Sequence, residues 1–154
     1  MEDIPGAPLV AVIILNWNKA ALTAACVAAV TRMTYQPVLI LVIDNGSAAG
    51  SLGPLEALEA PFELMRNQAN LGFTGGVNTG IRRALEAGAD YIWLLNNDAV
   101  PAADTLATLV SAMQADPHIG MTSPIIRNSD ANDEVDFCGS ILNGTAIEVT
   151  SDLA

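Results

Sequence analysis

Apolar runs and short polar interruptions alternate along this chain in a regular rhythm. Leu9 to Leu15 (LVAVIIL) is a continuous, β-branched run of strand length, the pattern of a strand covered on both faces. Asn16-Trp17-Asn18 closes it. From about Lys19 to Met33 the residues Leu22, Cys26, Ala29, Val30 and Met33 recur at helical spacing and predict a helix with one apolar stripe. Thr34-Tyr35-Gln36-Pro37 breaks that helix. Val38 to Ile43 (VLILVI) is a second buried strand, ending in Asp44-Asn45-Gly46-Ser47. Leu52 to Ala60 reads as a short helix that tolerates Pro54 in its first turn, and Phe62 to Met65 as a third, short strand.

A glycine-rich stretch follows, NQANLGFTGGVNTG from Asn67 to Gly80, leading into a helix that runs to about Ala87. No Gly-Lys-Ser/Thr ends it, so it is not a Walker A loop, and the Gly-x-Gly-x-x-Gly dinucleotide fingerprint is also missing. It offers a tight loop that enters a helix at Thr74 to Gly76, where small residues let a ligand or another backbone come close. Gly76 and Gly80 lie four apart, on one helix face. Packing of the helix on a sheet explains those glycines. The asparagines Asn70 and Asn78 favour a binding surface as well. Tyr91 to Leu95 (YIWLL) is a fourth apolar strand, expected to be buried, which stops abruptly at Asn96-Asn97-Asp98 before Pro101. Asp104 caps or begins a helix to about Ala115, with Leu106, Leu109, Val110 and Met113 on one face. Asp116-Pro117 stops that helix. Ile119 to Ile126 contains a fifth strand, Phe137 to Leu142 a sixth, and the acidic segment Arg127 to Asp136 reads as a solvated loop.

Strands alternating with helices predict an α/β fold: a mostly parallel open sheet with helices on both faces. Ligands in such sheets sit in the crevice at the carboxyl ends of the strands. Strands one, two and four, and the loop after strand three, all place Asn or Asp at that edge. Each group taken singly is also what a turn or helix cap requires. Together they form a site. A carboxylate such as Asp98 can hold a hard divalent cation through oxygen, with phosphates as further ligands.

Composition narrows the partners. Half of the 154 residues are hydrophobic and aromatics are scarce, as in a globular domain. The net charge of −11 argues against nucleic acid, and against adsorption to an anionic membrane. It leaves phosphate-bearing small ligands open, because a metal ion and backbone N–H groups bind phosphate without side-chain cations. No apolar run approaches the roughly 18 residues that span a bilayer. The opening MEDIPGAP is acidic and proline-rich, unlike a secretory signal, so the expected location is cytoplasmic. Cys26 and Cys138 form no zinc-like or disulfide framework, and Cys26 falls on the apolar face of its helix. His118, the single histidine, has no serine or cysteine placed to use it; a Ser-His-Asp triad is rejected.

With these pieces in order, the chain resembles the family 2 glycosyltransferases, which carry the GT-A fold. The matching segments are VIILNWNK (Val12 to Lys19), VIDNGS (Val42 to Ser47), NQANLGFTGGVNTGI (Asn67 to Ile81) and LLNNDAVP (Leu94 to Pro101). The Asn-Leu-Gly-Phe loop and the Leu-Leu-Asn-Asn-Asp strand end look most like the rhamnosyltransferase-type branch. The resemblance implies a nucleotide-diphosphate sugar donor, UDP- or dTDP-linked, held with Mg²⁺ or Mn²⁺. By position, Asn16 and Asn18 would lie near the nucleoside, Asp44 would hydrogen-bond the base, and Asn45 would lie beside it. Asn70, Gly72 and Asn78 would line the nucleotide pocket. Asn96-Asn97-Asp98 would stand where the family has its Asp-x-Asp motif, with Asp98 at the metal position and Asn96 in place of the first aspartate.

In this family a carboxylate general base deprotonates the acceptor hydroxyl, from a motif well beyond the Asp-x-Asp position. Asp133-Glu134-Asp136 arrives too early and in too polar a loop, so no catalytic base is assigned. The expectation is therefore that residues 1–154 form the donor-binding part of a longer transferase. The acceptor-binding part, for a saccharide or a lipid-linked acceptor at the inner membrane face, would lie elsewhere. Exposed apolar surface and self-association would follow. The alternatives are a sugar-phosphate nucleotidyltransferase and a non-catalytic nucleotide-binding module. The first is disfavoured because its glycine-rich loop after the first strand is absent here. The second is favoured by Asn96 and by the missing base.

Overall fold

The computed structural model describes residues 6–128, 134–137, 140–143 and 146–149. The chain divides into two compact units, Met1–Asp104 and Thr105–Ala154.

The first unit is built on a parallel four-stranded sheet: β1 (Val10–Asn16), β2 (Val38–Asp44), β3 (Glu63–Arg66) and β4 (Tyr91–Leu95), in the order β3-β2-β1-β4. Helices α1 (Ala20–Val30), α2 (Gly53–Glu56) and α3 (Gly72–Glu86) make the connections. Side chains alternate across a strand, so a strand buried along its whole length must be covered on both faces. Val10 to Ile14 of β1 and Ile40 to Ile43 of β2 are all buried. On one face Ala11, Ile13, Leu41 and Ile43 form a cluster with Ala84 of α3, flanked by Leu15, Leu39, Met65, Ile81 and Ile92. Gly76 and Gly80 allow α3 to approach that closely: a Cβ at Gly80 would come within 2.7 Å of Ile13, and one at Gly76 within 2.5 Å of Leu15. Arg83 of α3 also grips the carboxylate of Glu63 on β3 through two hydrogen bonds of 2.8 and 2.9 Å.

Several expectations shift. Helix α1 buries the expected Cys26, Ala29 and Val30, with Met33 just beyond its end, but not Leu22. Its buried residues are Ala20, Thr23, Cys26, Val27, Ala29 and Val30, whereas Leu22 is 48% exposed. In its first turns the helix buries Ala20 and Thr23 and leaves the bulkier leucine in water. Strand β4 is partly exposed, and Leu94 markedly so; β4 is the edge of its sheet and among the described residues has a strand neighbour on one side only. Helix α3 begins at Gly72, before the expected entry at Thr74 to Gly76, since Gly72 takes a left-handed φ of +70° that turns the chain into the helix.

The second unit contains α4 (Thr105–Ala115), with Leu106 and Val110 buried, and, among the described residues, four short strands. β5 (Ile126–Arg127) pairs antiparallel with β6 (Val135–Phe137), and β7 (Ser140–Asn143) with β8 (Ala146–Val149). The segment read as a solvated loop from Arg127 to Asp136 therefore contributes to a ladder at both ends. The expected fifth strand is confined to its last residue and Arg127, and the expected sixth is divided between β6 and β7. Asp133 and Cys138, and the Asp136 side chain, lie outside the described residues.

Candidate functional site

Parallel strands bring their carboxyl ends to one edge, and the register decides which residues meet there. Asn16 at the end of β1 pairs with Asp44 at the end of β2, and Ile14 pairs with Leu95, the last residue of β4. Asn16, Asp44 and the Asn96-Asn97-Asp98 turn are thereby neighbours within the first unit.

Asp44 is the centre of this edge. It is buried to 2% exposure, yet its carboxylate is only half used by close partners. Asn16 Nδ2 donates to Asp44 Oδ1 at 3.0 Å. The other oxygen, Oδ2, faces Arg66 Nε at 3.8 Å, too long for a hydrogen bond. Arg66 is itself half exposed and also lies 3.9 Å from Glu56. A buried carboxylate with one oxygen open to a donor is suited to receive an N–H or O–H from a ligand.

Asn16 is fully buried and committed to its neighbours. Its Nδ2 also reaches Ser47 Oγ at 3.2 Å, and its Oδ1 accepts from Thr23 Oγ1 at 2.8 Å. Asn16 thus holds Asp44. Asn18 works in the backbone of the same edge. It sits at a left-handed φ of 53°, its N–H donates to Ser47 Oγ at 2.8 Å, and its Oδ1 accepts from the Ala48 N–H at 2.8 Å. Both asparagines therefore fasten the β1–α1 turn to the β2–α2 turn, leaving the exposed Trp17 ring between them.

Asn45 makes four side-chain hydrogen bonds, the full capacity of an amide. Nδ2 donates to Asn70 Oδ1 at 2.9 Å and to the Gly72 carbonyl at 3.0 Å. Oδ1 accepts from Asn67 Nδ2 and from the Leu71 N–H, both at 3.1 Å. Asn70 Oδ1 further accepts from the Gly72 N–H at 2.8 Å. One buried amide thus folds the Asn67-to-Gly72 loop against the end of β2. The loop passes so near that a Cβ on Gly46 would lie 2.5 Å from the backbone of Ala69, and Gly46 takes a left-handed φ of +75°. Asn78 is exposed on α3 and takes no part in this network.

At the end of β4, Asn97 Nδ2 donates to Thr23 Oγ1 at 3.1 Å, and Cys26 Sγ lies 3.5 Å from the Asn96 carbonyl. Asn96 and Asp98 are exposed. Burial, and then the nearby charge of Asp98, push the Cys26 thiol up to about 11, so it is a protonated packing group and not a nucleophile. An apolar cleft of about 140 Å³ opens beside this turn, lined by Ile13, Leu15, Phe73, Val77 and Leu94 with Asn96 and Asn97 at its polar end.

A divalent ion fits this edge as a shared ligand only. Among the described residues no three His, Cys, Asp or Glu side chains gather. The exposed carboxylate of Asp98 supplies one hard oxygen, and phosphate oxygens and water would have to supply the rest, as magnesium-type sites commonly do. Sequence reasoning passed over Thr23, Arg66 and Asn67, and gave Ser47 no role. The signal for Thr23 was a hydroxyl within the small-residue face of α1; the others become visible only through their partners.

Comparison with known proteins fits this geometry. The Glycosyl transferase family 2 profile matches residues 11–140. Galactofuranosyltransferase GlfT1 of Mycolicibacterium smegmatis is 29% identical over 123 residues, covering 79% of this chain and 40% of that protein. GlfT1 of Mycobacterium tuberculosis is 31% identical over 105 residues, covering 65% of this chain and 34% of that protein. The chain thus spans well under half the length of these relatives. Among solved structures, the mannosyltransferase PcManGT from Pyrobaculum calidifontis, in complex with GDP-Man and Mn²⁺, superposes with a TM-score of 0.65 at 25% identity over 75% of this chain and 35% of that one. S. aureus TarS shares the fold, with a TM-score of 0.57 at 13% identity over 69% of this chain and 19% of that one. The mostly parallel open sheet is that of the GT-A nucleotide-sugar transferases, and by its sequence the chain belongs to glycosyl transferase family 2.

Proposed function

We propose that residues 1–154 are the donor-binding part of an inverting glycosyltransferase. The carrying observation is the convergence at one sheet edge of a buried, half-used carboxylate (Asp44) with the Asn96-Asn97-Asp98 turn, whose Asn96 and Asp98 are exposed. Asp44 receives a donor from the nucleobase, and Arg66 beside it faces the same ring. The Asn67-to-Gly72 loop, folded down by Asn45 and Asn70, forms the wall of the nucleotide pocket. Asp98 would hold Mg²⁺ or Mn²⁺, and Asn96 would reach a ribose hydroxyl.

In transfer, the bond between the sugar's anomeric carbon and the diphosphate oxygen breaks as the acceptor oxygen attacks from the opposite face. The acceptor's proton passes to a general base, to which no described residue is assigned. A metal held by Asp98 would supply positive charge that stabilises the departing diphosphate. The chain's own residues bind the nucleotide and orient it for that step.

The donor is a nucleotide-diphosphate hexose. The rhamnosyltransferase-like loop favours a UDP- or dTDP-linked sugar, while the relatives' names cover galactofuranosyl and mannosyl transfer, and the mannosyltransferase complex contains GDP-Man. The acceptor is a saccharide or lipid-linked saccharide, met on the cytoplasmic side of a membrane. No helix among the described residues is long and apolar enough to cross one. Leu94 and Phe73, exposed beside the cleft, provide apolar surface through which copies of the chain self-associate.

Calorimetric titration of UDP, dTDP and GDP, each with and without Mn²⁺, tests this reading on the chain and on Asp98→Ala. One nucleotide should bind with Mn²⁺ and lose at least about tenfold in affinity in Asp98→Ala, the scale of one charge-assisted contact. Absence of binding by all three, with or without metal, would sink the donor-site reading. Turnover of the matching nucleotide sugar by a longer chain that includes the acceptor-binding part would dispose of the binding-module reading, whereas absence of turnover in this chain alone fits both.

A further inference from the structure

Thr23 is buried on α1, and its single hydroxyl lies within reach of three polar groups. Asn16 Oδ1 is 2.8 Å away, the Lys19 carbonyl 3.1 Å, and Asn97 Nδ2 3.1 Å. A hydroxyl has one proton to give and lone pairs to receive. The Lys19 carbonyl already accepts the Thr23 backbone N–H at 3.0 Å, whereas Asn16 Oδ1 is buried and nearer. The hydroxyl proton therefore goes to Asn16, and the oxygen accepts from Asn97. Asn16 must then turn its Nδ2 toward Asp44 and Ser47, both of which accept. The flipped amide would set a carbonyl oxygen against the Asp44 carboxylate.

The result is a one-way chain of donors: Asn97 to Thr23, Thr23 to Asn16, Asn16 to Asp44. It runs beneath the strand ends from the β4 turn to the β2 carboxylate. Bonds aligned in one direction polarise one another, and inside a protein each is stronger than in water. An ordinary helical threonine bonds back to the carbonyl four residues earlier and does nothing further. Thr23 instead joins the two ends of the edge.

We propose that Thr23 is the positioning residue of the donor site, its hydroxyl setting the orientation of Asn16 and Asn97 so that Asp44 and the Asn97-Asp98 turn engage one ligand as a unit. This rests on the donor-site reading above. Thr23 touches no ligand; it acts through the two amides.

The test measures affinity for UDP, dTDP and GDP with Mn²⁺, and for uridine, thymidine and guanosine without metal. The proteins compared are the unaltered chain, Thr23→Val, Thr23→Ser and Asn97→Ala. Thr23→Val keeps the shape and removes the hydroxyl, and should weaken the preferred diphosphate about tenfold, as expected for losing bonds to buried polar groups. Thr23→Ser keeps the hydroxyl and should stay within about twofold. Asn97→Ala, cut at the partly exposed end of the chain, should weaken the phosphate-free nucleoside severalfold, an effect that a purely local role at β4 would not produce. Should Thr23→Val not fold, Thr23→Ser and Asn97→Ala carry the comparison. A folded Thr23→Val with unaltered affinity, or an Asn97→Ala that leaves the nucleoside unaffected, overturns the proposal while leaving the donor site standing. An unaltered chain that binds none of the nucleotides overturns both.

Discussion

Replacing Asn45 with alanine removes four hydrogen bonds at once. Two of its partners are backbone groups of the Leu71-Gly72 entry into α3, and two are the side chains of Asn67 and Asn70. A hydrogen bond contributes about 1 kcal/mol net, which sets an upper value of about 4 kcal/mol. The partners lie near the surface and regain water when freed, so the expected loss is about 3 kcal/mol. For a chain of this size that corresponds to a fall in Tm of roughly 6 to 12 °C. Asn45→Asp preserves the shape and both acceptor bonds but turns an oxygen toward Asn70 Oδ1 and the Gly72 carbonyl. Its negative charge near the start of α3 recovers only about 0.3–1 kcal/mol, which does not offset a buried charge set against two acceptors, so it should be destabilised by at least about 3 kcal/mol. Urea unfolding followed by circular dichroism measures both, with the slope on denaturant checked for constancy. A loss below about 1 kcal/mol for Asn45→Ala at unchanged slope would refute the account of Asn45 as the residue that folds the loop down.

Further outcomes follow from the same geometry. Gly46→Ala places a Cβ 2.5 Å from the Ala69 backbone at a left-handed φ, and should cost at least about 3 kcal/mol in the same unfolding assay. In a Cys138→Ser background, Cys26 should react negligibly with a thiol reagent at pH 8 and faster only as pH approaches about 11; Asp98→Asn, by removing the second cause of that shift, should move the onset to lower pH. Because the Cys26 thiol is raised in the folded state, its contribution is complete below about pH 9 and is lost as pH rises through about 11, on the order of 2–3 kcal/mol. Stability at pH 9 to 11 should fall less steeply in Cys26→Ala. Leu94→Lys, at the exposed edge strand, should reduce self-association in sedimentation experiments without lowering Tm by more than a degree or two.

What the chain states locally was legible without any structure. The apolar runs of β1 and β2 and the break at Pro37 are short-range features, and strand length and polar termination follow from them. Parallel alternation then forces Asn16, Asp44 and Asn96 to one edge, which is why the candidate site could be located from order alone. The apolar stripe of α1 was legible at Cys26, Ala29, Val30 and Met33, but not at its start. Leu22 and Thr23 are adjacent, and hydrophobicity favours burying the leucine. The Thr23 hydroxyl finds partners in Asn16 and Asn97, and the leucine beside it stays exposed. Nor was the division of labour among the asparagines legible. Asn16 and Asn45 look identical to Asn96 in the sequence, yet the first two spend their hydrogen-bonding capacity inside the protein and Asn96 stands in water. Amide capacity is a matter of which groups lie within hydrogen-bonding reach, and those come from residues up to 74 positions away, as Asn97 and Thr23 do. The exposure of β4 belongs to the same class: its apolar run shows that it forms a strand, while its place at the edge of the sheet is decided only by which strands find it.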